Sequence, residues 1–320
     1  MPPRKLSELE FVDLYVCLEG DAQPHFHRVA FGETEEESID VPPAFKEAVD
    51  ALAAFLRDKF IEDEMGVTYE GVRLRAAKVR TAGGYLWAAL RKINAVPPAV
   101  DKLGFVPPLV PHLRALGKRD GLILVCGATG QGKTTTSCSL LADYLNNFGG
   151  VAFSIEDPVE YDLEGRHGKG GYCYQSEIQD DREWAEMLKR SLRWHPRYIF
   201  VGEIRTPDAA NQLLRAATSG HLVITTVHAG TVEEALEGLL QLAEQSLGER
   251  ATSLLATGLT AVLHQTLTPL GLKANFYITE PHGSASAFRS CIRDKRIGQT
   301  RTFVDQQSAL LMQSGKISRD

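Results

Sequence analysis

The sequence predicts an α/β protein with a parallel sheet covered by helices on both faces, preceded by a smaller α+β domain. Three observations lead to this prediction. Short apolar runs in the later part of the chain alternate with amphipathic helical segments. The earlier part instead combines alternating strand patterns with one helical pattern. Prolines cluster between the two parts, and 320 residues are enough for about two domains of roughly 150 residues each.

The segment before the prolines is interpreted as an α+β domain over residues 1–96. The runs VDLYVCL and VRLRAAKV alternate apolar and polar residues, which is the period of a half-exposed strand. Between them, PPAFKEAVDALAAFLRDKF repeats apolar residues at helical spacing. We therefore expect a small sheet packed against one helix.

Two proline-rich patches, NAVPPAV and FVPPLVPHL, interrupt these patterns. Proline lacks an amide donor and restricts the residue before it, so such patches break helices and strands. They predict a linker over residues 97–110 and a second domain over residues 111–320.

After the linker, four short apolar runs are predicted to be strands. They are LILVC, VAFSI, YIFVG and LVITTV, and helical patterns such as DREWAEMLKRSLRW and PDAANQLLRAAT lie between them. Continuously apolar strands that alternate with helices are typical of a parallel sheet buried on both faces.

Composition and charge limit the classes of function. With 43% hydrophobic and 24% charged residues the chain has a globular composition. A net charge of -6 gives no general attraction to polyanions, so no nucleic-acid partner is expected. No run reaches the roughly 18 apolar residues of a membrane span, and MPPRKLSELEF lacks the apolar core of a signal peptide, which predicts a cytoplasmic location. The five cysteines contain no C-x-x-C pair and are expected to be reduced core residues.

The stretch GLILVCGATGQGKTTTSCSLLADYL contains the pattern G-x-x-x-x-G-K-[ST] between an apolar strand and a helix. In that context the pattern predicts a phosphate-binding loop, whereas a glycine-rich turn with an incidental lysine is the alternative. Glycines let backbone N–H groups approach a phosphate at the positive end of the helix. Lys133 is expected to reach the β- and γ-phosphates of ATP, and the Thr134 hydroxyl is expected to bind Mg²⁺. The residues expected to bind the nucleotide are Gly127, Ala128, Thr129, Gly130, Gln131, Gly132, Lys133, Thr134 and Thr135.

Carboxylates follow two of the predicted strands. Phosphoryl transfer needs such groups to orient water and to hold the metal, and in open parallel sheets they lie at the carboxyl ends of strands. VAFSIEDPVEY ends its strand with Glu156, Asp157 and Glu160, and YIFVGEIR ends its strand with Gly202, Glu203 and Arg205. Either cluster alone could be a solvated strand end, but both in order after a phosphate loop favour a site.

Two histidines flank the fourth apolar run, His221 before it and His228 after it. Their spacing is not that of metal ligands. His228 lies at the strand end where the site is expected, so it could sense or polarise the γ-phosphate, and a structural role stays open.

Four boxes in order, GATGQGKTT, SIEDPVEY, YIFVGEIR and TSGHLVITTVHAGT, resemble those of the secretion ATPase superfamily of type II secretion, type IV pilus and type IV secretion motors. Within it the chain is most similar to the pilus-retraction type, the PilT-like ATPases. FVDLYVCLEGDAQPHFHRV resembles the opening strands of that family, and AFRSCIRDKRI and LLMQSGK resemble its C-terminal helices.

This resemblance implies a RecA-like P-loop motor domain, an N-terminal PAS-like domain and assembly into a homo-hexamer. It also implies roles for the acidic boxes and for the histidine. Glu160 is the implied base on the attacking water, with Glu156 in reserve, Glu203 is near Mg²⁺, and His228 is at the γ-phosphate.

The family also contributes arginines from its N-terminal domain to the nucleotide. The matching stretch, GVRLRAAKVRTAGGYLWAALRKI, implies Arg73, Arg75 and Arg91, with Arg80 as a further candidate. The alternative is a set of exposed arginines at strand and helix edges. An arginine delivered across an interface would make hydrolysis depend on domain closure.

The implied function is an ATPase motor that is peripheral at the cytoplasmic face of the inner membrane and drives a pilus through a membrane-embedded platform protein. The chain lacks the tetracysteine insertion and the long N-terminal region of extension and type II secretion ATPases, which favours the retraction or type IV secretion branches. VHAGT stands where LHTNT is common, and HQTLTP lacks an arginine often found after the glutamine. These departures leave the direction of work open.

Three other functions are alternatives to the pilus motor. One is a type IV secretion or conjugation traffic ATPase, and another is a nucleotide-regulated assembly module with little intrinsic hydrolysis. The third is a nucleic-acid motor, which the acidic balance and the lack of an aromatic and basic stripe disfavour.

Overall fold

The computed structural model describes residues 4–28, 37–59, 63–93, 96–178, 180–269, 271–280 and 286–314. Contacts within the chain divide it into two compact units. The first comprises Met1–Val96 and Val159–Asp162, and the second comprises Pro97–Pro158 and Leu163–Asp320. The short segment Val159–Asp162 thus belongs with the first unit although it is flanked in sequence by the second, which no sequence pattern indicated.

The first unit is a six-stranded antiparallel sheet with one long helix. Its strands follow the order β3-β2-β1-β6-β5-β4, and the described neighbours are antiparallel. The elements are β1 (Asp13–Glu19), β2 (His25–His27), β3 (Ile39–Asp40), α1 (Lys46–Lys59), β4 (Glu64–Tyr69), β5 (Val72–Arg80) and β6 (Leu86–Lys92). The two predicted strands are β1 and β5, and the predicted helix is α1.

Alternate side chains of this sheet are buried together with the apolar side of α1. Leu74 of β5 and Leu90 of β6 are fully buried in that core. Successive strand side chains point to opposite faces. The arginines next to these leucines, Arg73, Arg75 and Arg91, therefore lie on the other face of the sheet.

The second unit carries a sheet of mostly parallel strands with helices around it. Short 3₁₀ turns at Val100–Lys102 and Pro107–Leu109 occupy the predicted linker. The remaining elements are α2 (Val110–Ala115), β7 (Gly121–Gly127), α3 (Lys133–Phe148), β8 (Gly150–Glu156), β9 (Gly165–His167), β10 (Gly171–Glu177), α4 (Glu183–Ser191), β11 (Tyr198–Glu203), α5 (Pro207–Ala217), β12 (Leu222–His228), α6 (Val232–Leu247), α7 (Arg250–Gly258), β13 (Leu259–Thr268), β14 (Gly271–Ile278), α8 (Ala287–Arg293) and α9 (Thr300–Ser314).

The strand order of this sheet is β14-β13-β7-β12-β11-β8-β10-β9. The strands from β13 to β10 are parallel to their neighbours, whereas β14 and β9 form antiparallel edges. Every residue of β7 is buried, as a strand covered on both faces requires. The predicted α/β class is confirmed: the four predicted strands are β7, β8, β11 and β12, which are adjacent at the centre of the sheet.

The carboxyl ends of the central strands meet at one edge of this sheet. β7 ends at Gly127, β8 at Glu156, β11 at Glu203 and β12 at His228. The register pairs His228 directly with Gly127, the first glycine of the phosphate loop. Ligands of open parallel sheets bind at this edge, so the fold places a candidate site here.

All five cysteines are buried free thiols. Burial raises the pKa of the Cys126 thiol to about 12, which keeps this residue protonated beside the phosphate loop. Among the helices in the described ranges, none has both the length and the apolar character needed to cross a bilayer.

Candidate active site

The phosphate loop connects β7 to α3 in a conformation that needs glycine. Gly130 and Gly132 both have φ near 74°, in the left-handed region that other residues rarely adopt. Gly132 is the N-cap of α3 and provides no side chain to bind the first N–H groups of the helix. Those groups and the positive end of the helix dipole suit a phosphate, so the loop fits the nucleotide that the sequence predicts.

Lys133 begins α3 and is buried. Its Nζ atom donates to the backbone oxygen of Ala128 at 2.9 Å, inside the loop, and lies 3.3 Å from Nδ1 of His228. The ammonium group is therefore held at the position where a bound phosphate oxygen would be neutralised. The following Thr134 is partly exposed at the start of the helix.

His228 connects the loop to the end of β11. Its Nδ1 atom lies near Lys133 and 3.5 Å from Oγ1 of Thr129, and its Nε2 atom lies 3.5 Å from Oε1 of Glu203. An ammonium can only donate, so Nδ1 accepts from Lys133. The proton of the neutral ring is then assigned to Nε2, which faces the Glu203 carboxylate.

Glu203 is shared between His228 and an arginine. Oε2 of Glu203 accepts from Nε and Nη2 of Arg205 at 3.2 and 3.1 Å. Nη1 of Arg205 also lies 3.4 Å from Asp157 and 3.7 Å from Asp181. Partial burial lowers the pKa of Arg205, but the three carboxylates outweigh burial and the pKa is raised. The Glu203 carboxylate and the Thr134 hydroxyl are oxygen donors of the kind that Mg²⁺ prefers.

Glu156 ends β8 as a buried carboxylate. It accepts hydrogen bonds from Oγ of Ser154 and, at 2.8 Å, from Nε2 of Gln175 on β10. Gly202 lies against its backbone. The reserve base is thus enclosed by its own and neighbouring strands.

Glu160, the implied base, is exposed and lies in the segment that belongs with the first unit. Its charge contributes to the raised pKa of Arg91, whose main cause is the hydrogen bond to Asp13. Glu156 and Glu160 are four positions apart in sequence, but β8 ends at Glu156. Glu160 therefore lies beyond the strand that ends with Glu156.

The predicted nucleotide-binding arginines all lie in the first unit. Arg91 makes a bidentate ion pair with Asp13 at 2.8 and 2.9 Å, and Arg75 lies 2.9 Å from Glu64. Arg73 is half-buried, and its Nε atom makes no hydrogen bond to a described residue. Arg80 pairs with Glu19 at 2.7 Å.

The sequence patterns assign no role to two residues of the site. Arg205 is one of them, although a cation beside two acidic boxes indicates an ion-pair partner for their carboxylates. Gln265, in HQTLTP, is fully buried and donates through Nε2 to the backbone oxygen of Gln131 at 2.6 Å. A glutamine within the mostly apolar run TAVLHQTL predicts a buried amide that needs a hydrogen-bond partner.

The family described as Type II/IV secretion system protein matches residues 64–310. An uncharacterized protein of Escherichia coli K12, YggR, is 34% identical over 206 residues, which cover 62% of this chain and 59% of that protein. The chain therefore spans less than two thirds of that relative. The Type IV pilus retractation ATPase PilT of Pseudomonas aeruginosa is 29% identical over 289 residues, which cover 86% of this chain and 81% of the relative.

A solved structure has the same fold over nearly the whole chain. The crystal structure of the pilus retraction motor PilT with bound ADP gives a TM-score of 0.72 at 28% identity and covers 94% of this chain and 87% of that one. The match includes both the mostly parallel sheet and the antiparallel N-terminal sheet described above. The family match extends over residues that form all four boxes of the site. The chain therefore belongs to the family of Type II/IV secretion system proteins.

Proposed function

We propose that this chain is an Mg²⁺-dependent ATPase that acts as a pilus motor of the retraction type. The observation that carries the proposal is the continuous set of contacts from Lys133 in the phosphate loop through His228 to Glu203. A glycine-rich turn with an incidental lysine would have no reason to be joined to a strand-end carboxylate. The similar PilT structure with bound ADP supports a nucleotide at this loop.

The residues of this site divide the work of hydrolysis. Lys133 exchanges its hydrogen bond to the Ala128 oxygen for contacts with the β- and γ-phosphates. His228 then contacts the γ-phosphate while it stays in contact with Glu203. Thr134 and Glu203 would hold Mg²⁺, which would neutralise phosphate charge. Arg205 orients the Glu203 side chain through two hydrogen bonds to Oε2.

Glu160 acts as the base on the attacking water, and Arg73, Arg75 and Arg91 of the N-terminal domain supply positive charge to the phosphates. Both roles come from family resemblance. Residues 1–96 act as the PAS-like domain, 97–110 as the linker and 111–320 as the ATPase domain. Hydrolysis then depends on domain closure, which is how nucleotide energy becomes movement.

The working form is a homo-hexamer that is peripheral at the cytoplasmic face of the inner membrane and acts on a platform protein of the pilus. The name of one relative, the Type IV pilus retractation ATPase PilT, of which the chain covers 81%, supports a pilus as the machine. The hexamer, the location and the platform partner come from family resemblance. A ring would give an ATPase rate that rises faster than linearly with protein concentration.

The test is the steady-state ATPase rate against protein concentration, with oligomer mass measured in the same samples. Lys133→Ala should lower the rate by at least about 100-fold, the scale for loss of one group that stabilises transition-state charge. Lys169→Ala removes an exposed lysine of a turn and is the matched control. An unchanged rate in Lys133→Ala would refute the ATPase assignment.

The choice of base is tested in the same assay. Glu160→Gln should lower the rate by about 10²- to 10⁴-fold, the range for loss of a general base. Glu156→Gln keeps the hydrogen-bonding shape of the buried carboxyl and should retain more activity. The reverse order of the two variants would make Glu156 the base. ATP binding with negligible turnover at all concentrations would instead favour the regulated assembly module.

A further inference from the structure

The phosphate loop rests on β13 through a reciprocal pair of hydrogen bonds. The buried Gln265 amide donates to the backbone oxygen of Gln131, and Oε1 of Gln131 accepts from the backbone N–H of Leu267 at 2.6 Å. Gln131 directly precedes Gly132 and Lys133. The two bonds therefore fix the backbone at the point from which Lys133 projects.

β13 also touches the beginning of the loop. A Cβ atom on Gly127 would lie 2.6 Å from the backbone oxygen of Gln265, closer than real side chains approach. The loop thus contacts this strand at its first glycine and again at Gln131. A shift of β13 along its length would have to displace the loop or break these contacts.

The hairpin of β13 and β14 extends the connection to the linker. Leu267 is paired across the hairpin with Leu272, whose N–H donates to the backbone oxygen of Gly104 at 3.1 Å. Gly104 lies within the proline-rich linker, has φ 86°, and a Cβ on it would lie 3.2 Å from the Leu272 nitrogen. The linker and the hairpin are therefore in close backbone contact.

A single cross-strand pair thus makes both external contacts. The N–H groups of Leu267 and Leu272 point out of the hairpin, one to the phosphate loop and one to the linker, because each binds an acceptor outside it. In an antiparallel ladder this is the geometry of a non-hydrogen-bonded pair. Neither N–H group is needed to hold the hairpin together.

We propose that the Leu267–Leu272 pair couples the linker to the phosphate loop, so that nucleotide binding and the Gly104 contact strengthen each other. This inference rests on the proposed function, because it takes the loop as the nucleotide site. Coupling between two sites is reciprocal. Nucleotide must therefore stabilise the linker contact to the same degree that the contact raises nucleotide affinity.

The experiment measures two quantities on the full chain: the dissociation constant of Mg·ADP, and amide hydrogen exchange over residues 99–106 and 271–272 with and without Mg·ADP. In the wild type, Mg·ADP should slow exchange in both segments. Leu267→Pro removes one N–H at a strand end where the ladder does not use it. Leu267→Ala keeps that N–H and is the matched control, because the Leu267 side chain is 55% exposed.

Leu267→Pro should weaken Mg·ADP binding by about 2- to 10-fold, the range for one net hydrogen bond. It should also abolish the protection of residues 99–106 by Mg·ADP, while Leu267→Ala changes neither. Gln131→Met removes the acceptor from the other side and should reproduce both effects. If Leu267→Pro lowers the unfolding midpoint strongly, Gln131→Met decides the test.

The inference is overturned if Mg·ADP binds the wild type without changing exchange over residues 99–106. It is also overturned if Leu267→Pro and Gln131→Met keep that protection, or if Leu267→Ala loses it equally. In these cases nucleotide binding itself stays intact, and the proposed function stands. Failure of the wild type to bind Mg·ADP would refute the proposed function together with the coupling.

Discussion

Gly130→Ala isolates the conformational requirement of the phosphate loop. Gly130 has φ 74°, and among the described residues no atom outside its immediate neighbours lies within 4 Å of the position that a Cβ would take. The added methyl group therefore meets no obstacle, and only the left-handed conformation is penalised. That penalty is about 1–2 kcal/mol for an L-residue. Because Gly130 is exposed, the loop can relax without nucleotide, and the penalty should appear on binding.

We expect Gly130→Ala to raise the dissociation constant of Mg·ADP by about 5- to 30-fold, the equivalent of 1–2 kcal/mol. Isothermal titration calorimetry measures this change, and thermal unfolding should show little difference. Gly71→Ala is the matched control: φ is 77°, and apart from the chain neighbours of Gly71 no atom in the described part of the chain lies within 4 Å of the added Cβ. It lies in the tight turn between β4 and β5, where strand pairing prevents relaxation.

Gly71→Ala should therefore lower the unfolding midpoint and leave Mg·ADP affinity unchanged. The reasoning would be refuted if Gly130→Ala bound Mg·ADP as tightly as the wild type. It would equally be refuted if Gly71→Ala weakened binding as much as Gly130→Ala, because the effect would then not come from the loop.

Two further predictions concern titration. Burial lowers the pKa of His264 in the folded protein. As the pH falls through about 6.5, His264 therefore binds a proton in the unfolded chain before it does so in the folded protein. The stability that His264 contributes is complete above that pH and is lost as pH falls toward the folded pKa. The urea unfolding midpoint of the wild type should be lower at pH 5.5 than at pH 7.5, and the difference should be smaller in His264→Gln. An equally large difference in that variant would contradict the prediction for His264. The raised pKa of Cys126, about 12, predicts that iodoacetamide at pH 8 leaves it unmodified until urea is added, as mass spectrometry would measure. Equal modification of the folded chain would count against it.

The central part of the fold could be predicted because its strands have a strong signal. β7, β8, β11 and β12 are short apolar runs bounded by helical patterns, and buried parallel strands need that composition. β13 could not be separated from α7, since the helix ends at Gly258 and the strand begins at Leu259 without a turn sequence. Strand order was also out of reach, because it depends on contacts distant in sequence.

The site was partly predictable for a similar reason. Lys133 follows β7, and Glu203 and His228 end strands β11 and β12. The carboxyl ends of these parallel strands must meet, and the structure brings the three side chains into contact. The same argument does not predict a position for Glu160. β8 ends at Glu156, and Val159–Asp162 belong to the first unit. The hydrogen bond from Gln265 to the phosphate loop could not be predicted, because it depends on the position of β13 beside the loop.

The segment Val159–Asp162 has a practical consequence for dissecting this protein. The chain passes between the two units at Val96–Pro97, at Pro158–Val159 and at Asp162–Leu163. Cutting at the proline-rich linker would therefore leave part of the first unit on the second fragment. Val159 and Tyr161 of that part are buried, 1% and 8% exposed, and a fragment that begins at residue 97 would separate them from the rest of the first unit. Domain functions are therefore better separated by point substitutions in the whole chain.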